Sequence, residues 1–231
     1  RTLLAMVESL ARDEAEGIIS EAIKWKSGNP SERRVIVGGC LTEWDKEGAL
    51  RSRLSGVDAW TKICSVAEIG PVAASLYEGR TARGITKDSP YIYDHSTPRV
   101  QLTPPHYAYI KIADGCDNRC TYCMIPSIRG ELRSRTLDSV VSEAHSLLEN
   151  GVRELIIIAQ DSAAFGRDKA VRGESLAKLV SRLDRLKSPS DYWIRLMYLH
   201  PASVTNELLE VLRDSKHVVR CLEMPLQHIS D

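Results

Sequence analysis

The strongest constraint on the fold is a rhythm that begins at Tyr107, where short apolar runs alternate with amphipathic stretches for the remainder of the chain. Tyr107 to Ala113 alternates in strand fashion, Leu155 to Ala159 is wholly apolar, and Trp193 to Leu199 and Val218 to Leu226 supply two more strands. Asp138 to Asn150 places Val140, Val141, Ala144, Leu147 and Leu148 on one helical face before Gly151. Glu174 to Lys187 does the same with Leu176, Leu179, Val180, Leu183 and Leu186, and Thr205 reads as the N-cap of a helix carrying Leu208, Leu209 and Leu212. Four strands and three helices in alternation imply a parallel sheet with right-handed crossovers, either a barrel or an open doubly wound sheet. A barrel needs more strands than this chain supplies before it stops at Asp231, so the sequence reads as truncated at its C-terminus.

The first part of the chain is α/β in a looser pattern. Leu3 to Trp25 is helical, with Gly28 and Pro30 behind it, and Val35 to Val37 is a short buried strand ending at Gly38, Gly39 and Cys40. A helix over Glu43 to Leu54, a strand over Val57 to Ile63 and a helix over Val66 to Tyr77 follow. From Gly79 to Pro105 the periodicity decays among prolines and glycines, which marks a linker.

At 231 residues the chain can bury a core of one to two domains without metal or disulfide help. Its 31 Lys and Arg balance 31 Asp and Glu, with 43% hydrophobic residues, which excludes a disordered chain and a general nucleic-acid-coating role. The longest strongly apolar strip is far short of the ~20 residues that cross a bilayer, and no signal segment opens the chain. The expectation is a cytoplasmic location and no membrane partner. Arg1 stands where a complete chain has Met, so residues are expected to be missing there too.

Six cysteines occur, Cys40, Cys64, Cys116, Cys120, Cys123 and Cys221, and three of them fall within eight residues. In a chain of this size without export signals, such a cluster favours metal or redox chemistry over disulfides. The segment follows the first strand of the βα run on its C-terminal side, the edge where α/β sheets and barrels bind ligands. Zinc would need a fourth ligand from elsewhere and would make the protein a non-catalytic binding module. A four-iron cluster on three thiolates instead leaves one iron open to chelation by a cofactor or substrate. Gln160 and Asp161 end the next strand on the same edge, and His200 ends the one after, so these are candidates for meeting a ligand. Arg119, Arg129, Arg133 and Arg135 make the loop basic, either as a solvated surface or as partners for a carboxylate. Cys64 and Cys221 sit beside apolar strings and read as core, while Cys40 suits either a buried thiol or a ligand.

The spacing of Cys116, Cys120 and Cys123, with aromatic Tyr122 before the last, resembles the cluster loop of the radical S-adenosylmethionine enzymes. Tyr109 to Gly115, Met124 to Gly130 and then Arg133, Ser134 and Arg135 look like the methylthiotransferase branch. The strings Ser127 to Gly130, Ile158 to Asp161, Arg195 to Pro201 and Pro225 to Ser230 are similar to the members that methylthiolate an aspartate of small-subunit ribosomal protein twelve. Members that act on a transfer-RNA adenosine are the alternative. Val35 to Leu41 resembles the family's N-terminal domain, in which Cys40 matches one of three ligands of an auxiliary four-iron cluster. The other two have no counterpart here, Leu3, Leu4 and Ala5 standing where one is expected, and the family's C-terminal RNA-binding type β domain is absent as well.

The resemblance implies an N-terminal methylthiotransferase domain over residues 1–80, a linker over 81–105 and a partial parallel (β/α) radical-SAM barrel over 106–231, incomplete at both ends. It implies a [4Fe-4S] cluster on Cys116, Cys120 and Cys123, S-adenosylmethionine as cofactor with the Tyr122 backbone facing its adenine, an external electron donor and a ribosomal protein as substrate. Reductive cleavage of the cofactor to methionine would give a deoxyadenosyl radical that abstracts hydrogen from an unactivated carbon, and a methylthio group assembled at the auxiliary cluster, its methyl from a second S-adenosylmethionine, would be delivered to the substrate radical.

Overall fold

The computed structural model describes residues 2–45, 47–80, 91–168 and 171–226. The first ten residues of the expected linker, the ending at 227–231 and the side chain of Cys64 lie outside the described residues. The chain divides into two compact units, Arg1–Tyr91 with Asn118–Arg129, and Ile92–Asp117 with Gly130–Asp231.

In the first unit, helix α1 (Thr2–Ser27) precedes a parallel pair of three-residue strands, β1 (Ile36–Gly38) and β2 (Ala59–Thr61). Ile19 on α1 is buried with Val35 and Val37, and Ala22, Ile23 and Trp60 pack around them. The single helix expected over Glu43 to Leu54 is two short ones, α2 (Cys40–Trp44) and α3 (Ala49–Arg53). Asp45 divides them: its buried carboxylate accepts from the Leu50 and Arg51 amides and so starts α3 afresh. A 3₁₀ turn over Ile63–Glu68 leads into α4 (Ile69–Tyr77), and α5 (Ile125–Arg129) packs against α2.

The second unit holds the parallel sheet. Strand β3 (Tyr107–Lys111) is followed by a two-stranded antiparallel ribbon, β4 (Ala113–Asp114) with β5 (Arg133–Ser134), and then by α6 (Leu137–Glu149). Next come β6 (Glu154–Ile158), α7 (Leu176–Leu183), β7 (Trp193–Leu196) and α8 (Asn206–Asp214). The sheet order is β3-β6-β7, all parallel, with Tyr109 opposite Ile156 and Ile156 opposite Arg195. Period-two alternation sends Ala108, Ile110, Leu155, Ile157, Ile194 and Leu196 to one fully buried face, where they meet Val140, Ala144, Leu148, Leu179, Val180 and Leu183 of the helices. Each of the Val, Leu and Ile side chains contributes about 1.5–3 kcal/mol on burial. The opposite face carries Tyr109, Lys111, Trp193 and Arg195, of which Tyr109 and Trp193 are exposed. All three helices start as their sequences require: Thr136, Ser175 and Thr205 each accept the amide of the third residue onward.

β3 is an edge strand, and residues 92–105 cover its outer side. Arg99 donates to the Tyr109 carbonyl (2.9 Å), Gln101 and Thr103 donate to the Tyr107 carbonyl, and the Tyr93 hydroxyl accepts from the Lys111 amide (2.9 Å). Side chains thus take the place of a neighbouring strand. At the other edge the strand expected over Val218 to Leu226 shrinks to one bridge, Ile194 with Val218. The Cys221 amide turns back to the Val219 carbonyl (2.7 Å) and lifts the chain off the ladder. Cys221, expected in the core, is exposed for that reason.

Candidate functional site

Cys40 is presented by the turn from β1 into α2. Gly38 must lack a side chain, because a Cβ there would stand 2.4 Å from Thr61 Oγ1, and Gly39 takes φ +112°, a region closed to most residues. The Thr42 hydroxyl closes the turn, 2.8 Å from both the Gly39 and Thr61 carbonyl oxygens. Cys40 opens α2 with its side chain exposed, so the buried-thiol alternative does not hold. The helix against α2 is α5, which begins two residues after Cys123.

The three-cysteine loop hangs from the β4–β5 ribbon. The Ile112 amide still donates to Ile158 at the end of β6, so the ribbon leaves from the C-terminal edge of the sheet. At its foot Gly115 has φ +79°, and a Cβ would meet the Glu131 carbonyl oxygen at 2.1 Å. The Cys116 amide donates to Gly130 O (3.1 Å), and Asp117 accepts from the Leu132 amide (2.9 Å), closing the loop. A turn from Cys120 O to the Cys123 amide (3.0 Å) shapes the other end. Cys116 belongs to the second unit, Cys120 and Cys123 to the first. All three are half-buried and none is in a disulfide. Among the described residues no three His, Cys, Asp or Glu side chains stand close enough together to hold a metal ion. What fits a cluster is the donor set: three soft thiols within eight residues, on a loop whose feet are pinned. Tyr122 is exposed, and its phenol is pushed up by desolvation and then by the sulfurs of Cys120 and Cys123.

Past the end of β6, Gln160 is half-buried and its Oε1 has no hydrogen-bond partner. Asp161, 2% exposed, joins two strand ends through its carboxylate. It accepts from the Ala163 amide (3.1 Å), the His200 amide (3.2 Å) and the Ser203 hydroxyl (2.6 Å), tying the end of β6 to the loop after β7. His200 is half-buried and caps the turn behind it, Nδ1 accepting from the Ala202 amide (3.2 Å). The basic residues divide. Arg133 stands 3.6 Å from Asp114, while Arg135 is buried, bonded to Glu143 and stacked on Tyr93, so it is neither solvated nor open to a ligand. Sequence reasoning missed Ser203, Ser162 and Glu223, which lock the strand ends together. Their spacing carries no signal, because each acts on a segment distant in the chain.

The family model described as the Radical SAM superfamily matches residues 110–231, more than half of the chain. The chain belongs to the radical SAM superfamily. The radical SAM match begins inside β3 and takes in the cysteine loop and the ends of β6 and β7. Among curated relatives, the ribosomal protein uS12 methylthiotransferase RimO of Heliobacterium modesticaldum is 40% identical over 222 residues, 96% of this chain and 47% of the relative. That of Elusimicrobium minutum is 41% identical over 222 residues, 95% of this chain and 49% of the relative. The chain spans about half the length of the curated relatives it matches. A solved radical S-adenosylmethionine methyltransferase, TsrM of Kitasatospora setae with cobalamin and a [4Fe-4S] cluster bound, shares the fold at TM-score 0.61 and 16% identity, covering 92% of this chain and 45% of its own. Among the described residues no helix is long and apolar enough to cross a membrane.

Proposed function

We propose that this radical SAM chain serves the methylthiolation of an aspartyl β-carbon in small-subunit ribosomal protein uS12, with Cys116, Cys120 and Cys123 holding a [4Fe-4S] cluster and S-adenosylmethionine bound beside it. One observation carries the reading: about 40% identity, along nearly the whole chain, to relatives that are themselves uS12 methylthiotransferases. The cluster, when bound, supplies the electron that cleaves the sulfonium cofactor, so the protein's share is binding, orientation and exclusion of water.

The chain's own residues divide that work. Gln160 offers a buried acceptor at the ligand edge, suited to a cofactor ammonium or hydroxyl. Asp161 acts at one remove, fixing His200 and Ser203 against the end of β6. The backbone of Tyr122 would hold the cofactor adenine. Cys40, exposed at the start of α2, is one ligand of the auxiliary cluster. The domain plan is residues 1–80 for the auxiliary-cluster domain, 81–105 for the linker and 106–231 for the radical SAM part, working in the cytoplasm with an external one-electron donor. To test the reading, the protein reconstituted anaerobically with iron is incubated with S-adenosylmethionine as source of both the radical and the methyl, sulfide as source of the sulfur, reductant and either uS12 or transfer RNA. Mass spectrometry should find hydrogen replaced by methylthio on the uS12 aspartate; modification of the transfer RNA alone would contradict the substrate assignment.

A further inference from the structure

Tyr198 is the one non-glycine residue with positive φ, 60°, among the described residues. A tyrosine pays a steric penalty in the left-handed region that glycine or asparagine largely avoids. The fold nevertheless holds it there from both sides. The Ser162 amide donates to Tyr198 O (3.0 Å), and the Tyr198 amide donates to Glu223 Oε2 (2.5 Å). The Ser162 hydroxyl bonds Met197 O (2.7 Å), and the Leu199 amide bonds Glu223 O (3.2 Å). Packing does not explain the arrangement, because Tyr198 is 45% exposed while Leu199 beside it is fully buried. Strain that the surroundings over-determine, around a ring left open to solvent, points to use of the ring.

The position and the chemistry narrow that use. Tyr198 lies just past the C-terminal end of β7, the same edge from which Gln160 and the β4–β5 ribbon leave. Two residues on, His200 accepts at Nδ1, so its neutral ring keeps the proton on Nε2 and donates from there. This edge therefore offers two neutral donors, a phenol and an imidazole. The cations Arg133 and Arg135 already have carboxylate partners, Asp114 and Glu143, and Arg167 is held by the hydroxyl and carbonyl of Ser203. Neutral donors suit an incoming carboxylate that must be oriented.

We propose that the Tyr198 phenol donates a hydrogen bond to the side-chain carboxylate of the uS12 aspartate, fixing the rotation that presents its β-carbon. The proposal rests on the methylthiotransferase reading above. Anchoring the carboxylate restricts rotation next to the reacting carbon and so biases which hydrogen faces the attacking group.

The test compares wild type, Tyr198→Phe and Tyr198→Asn, all reconstituted anaerobically, for binding of S-adenosylmethionine, of uS12 and of uS12 with the target aspartate changed to alanine. Tyr198→Phe should bind S-adenosylmethionine as the wild type does and uS12 about tenfold more weakly. That penalty should vanish with the alanine-substituted uS12, as a direct contact requires. Tyr198→Asn, which accepts the left-handed backbone, should keep the thermal midpoint at or above that of wild type while losing uS12 affinity; a purely structural tyrosine would lose the midpoint instead. Unchanged uS12 affinity in Tyr198→Phe, a penalty that persists without the aspartate, or a loss confined to S-adenosylmethionine each overturns the proposal alone. Failure of the wild type to bind uS12 overturns the methylthiotransferase reading together with it.

Discussion

At the scale of single residues, Gly115 closes the foot of the cysteine loop, and nothing in the sequence says that the Glu131 carbonyl oxygen lies 2.1 Å from where its side chain would begin. Gly115→Ala should therefore open the foot of the loop, and iron uptake on reconstitution should fall to that of a cysteine-loop variant; normal uptake would show that the foot can shift. Asp161 is similar. Its place at the ligand edge was readable from strand order, but its engagement with His200 and Ser203 depends on contacts about forty residues away, beyond any local pattern. Tyr192 supplies a pH dependence. Its hydroxyl donates to Leu183 O (2.7 Å) and its ring stacks on His217 at 4.2 Å. Burial and then the Asp184 carboxylate push its phenol up to about 12. The folded state thus holds this proton more tightly than the unfolded state, whose phenol titrates near ~10. The contribution is complete below pH ~10 and is lost as the pH climbs toward 12. Urea midpoints measured from pH 8 upward should fall across that window, and Tyr192→Phe should flatten the fall while costing about 1 kcal/mol near neutrality.

At the scale of elements, the three helices of the second unit and their caps follow directly from Thr136, Ser175, Thr205 and the apolar spacing behind them. The ribbon that carries the cysteine loop was invisible, because strands of two residues leave no periodicity. Residues 92–105 read as linker because prolines and polar side chains dominate them, yet those side chains are what satisfy the edge of β3. Glu143 on α6 joins that segment to the ribbon, bonding Arg99 at 2.7 Å and Arg135 at 2.5 Å from its two oxygens. Arg135 is 2% exposed, so removing Glu143 leaves a buried guanidinium without its anion. Glu143→Ala should cost about 3–5 kcal/mol in chemical denaturation. A loss below ~1 kcal/mol, the value of a surface pair, would mean that water reaches Arg135 freely.

At the scale of the whole molecule, the alternation from Tyr107 onward announced a parallel sheet, and the sheet is there in the order β3-β6-β7. The fourth strand failed for a local reason, the Cys221 turn, which no hydrophobicity pattern reveals. The cysteine loop runs from one unit into the other, with Cys116 on one side of the boundary and Cys120 and Cys123 on the other. The central claim is that these three thiols hold the cluster that cleaves the cofactor. It is tested most directly by reconstituting wild type and Cys120→Ala with iron and sulfide under anaerobic conditions, reducing both, and measuring deoxyadenosine released from S-adenosylmethionine. Wild type should release it and Cys120→Ala should release none while keeping its circular dichroism spectrum; deoxyadenosine from the variant at the wild-type rate would contradict the account.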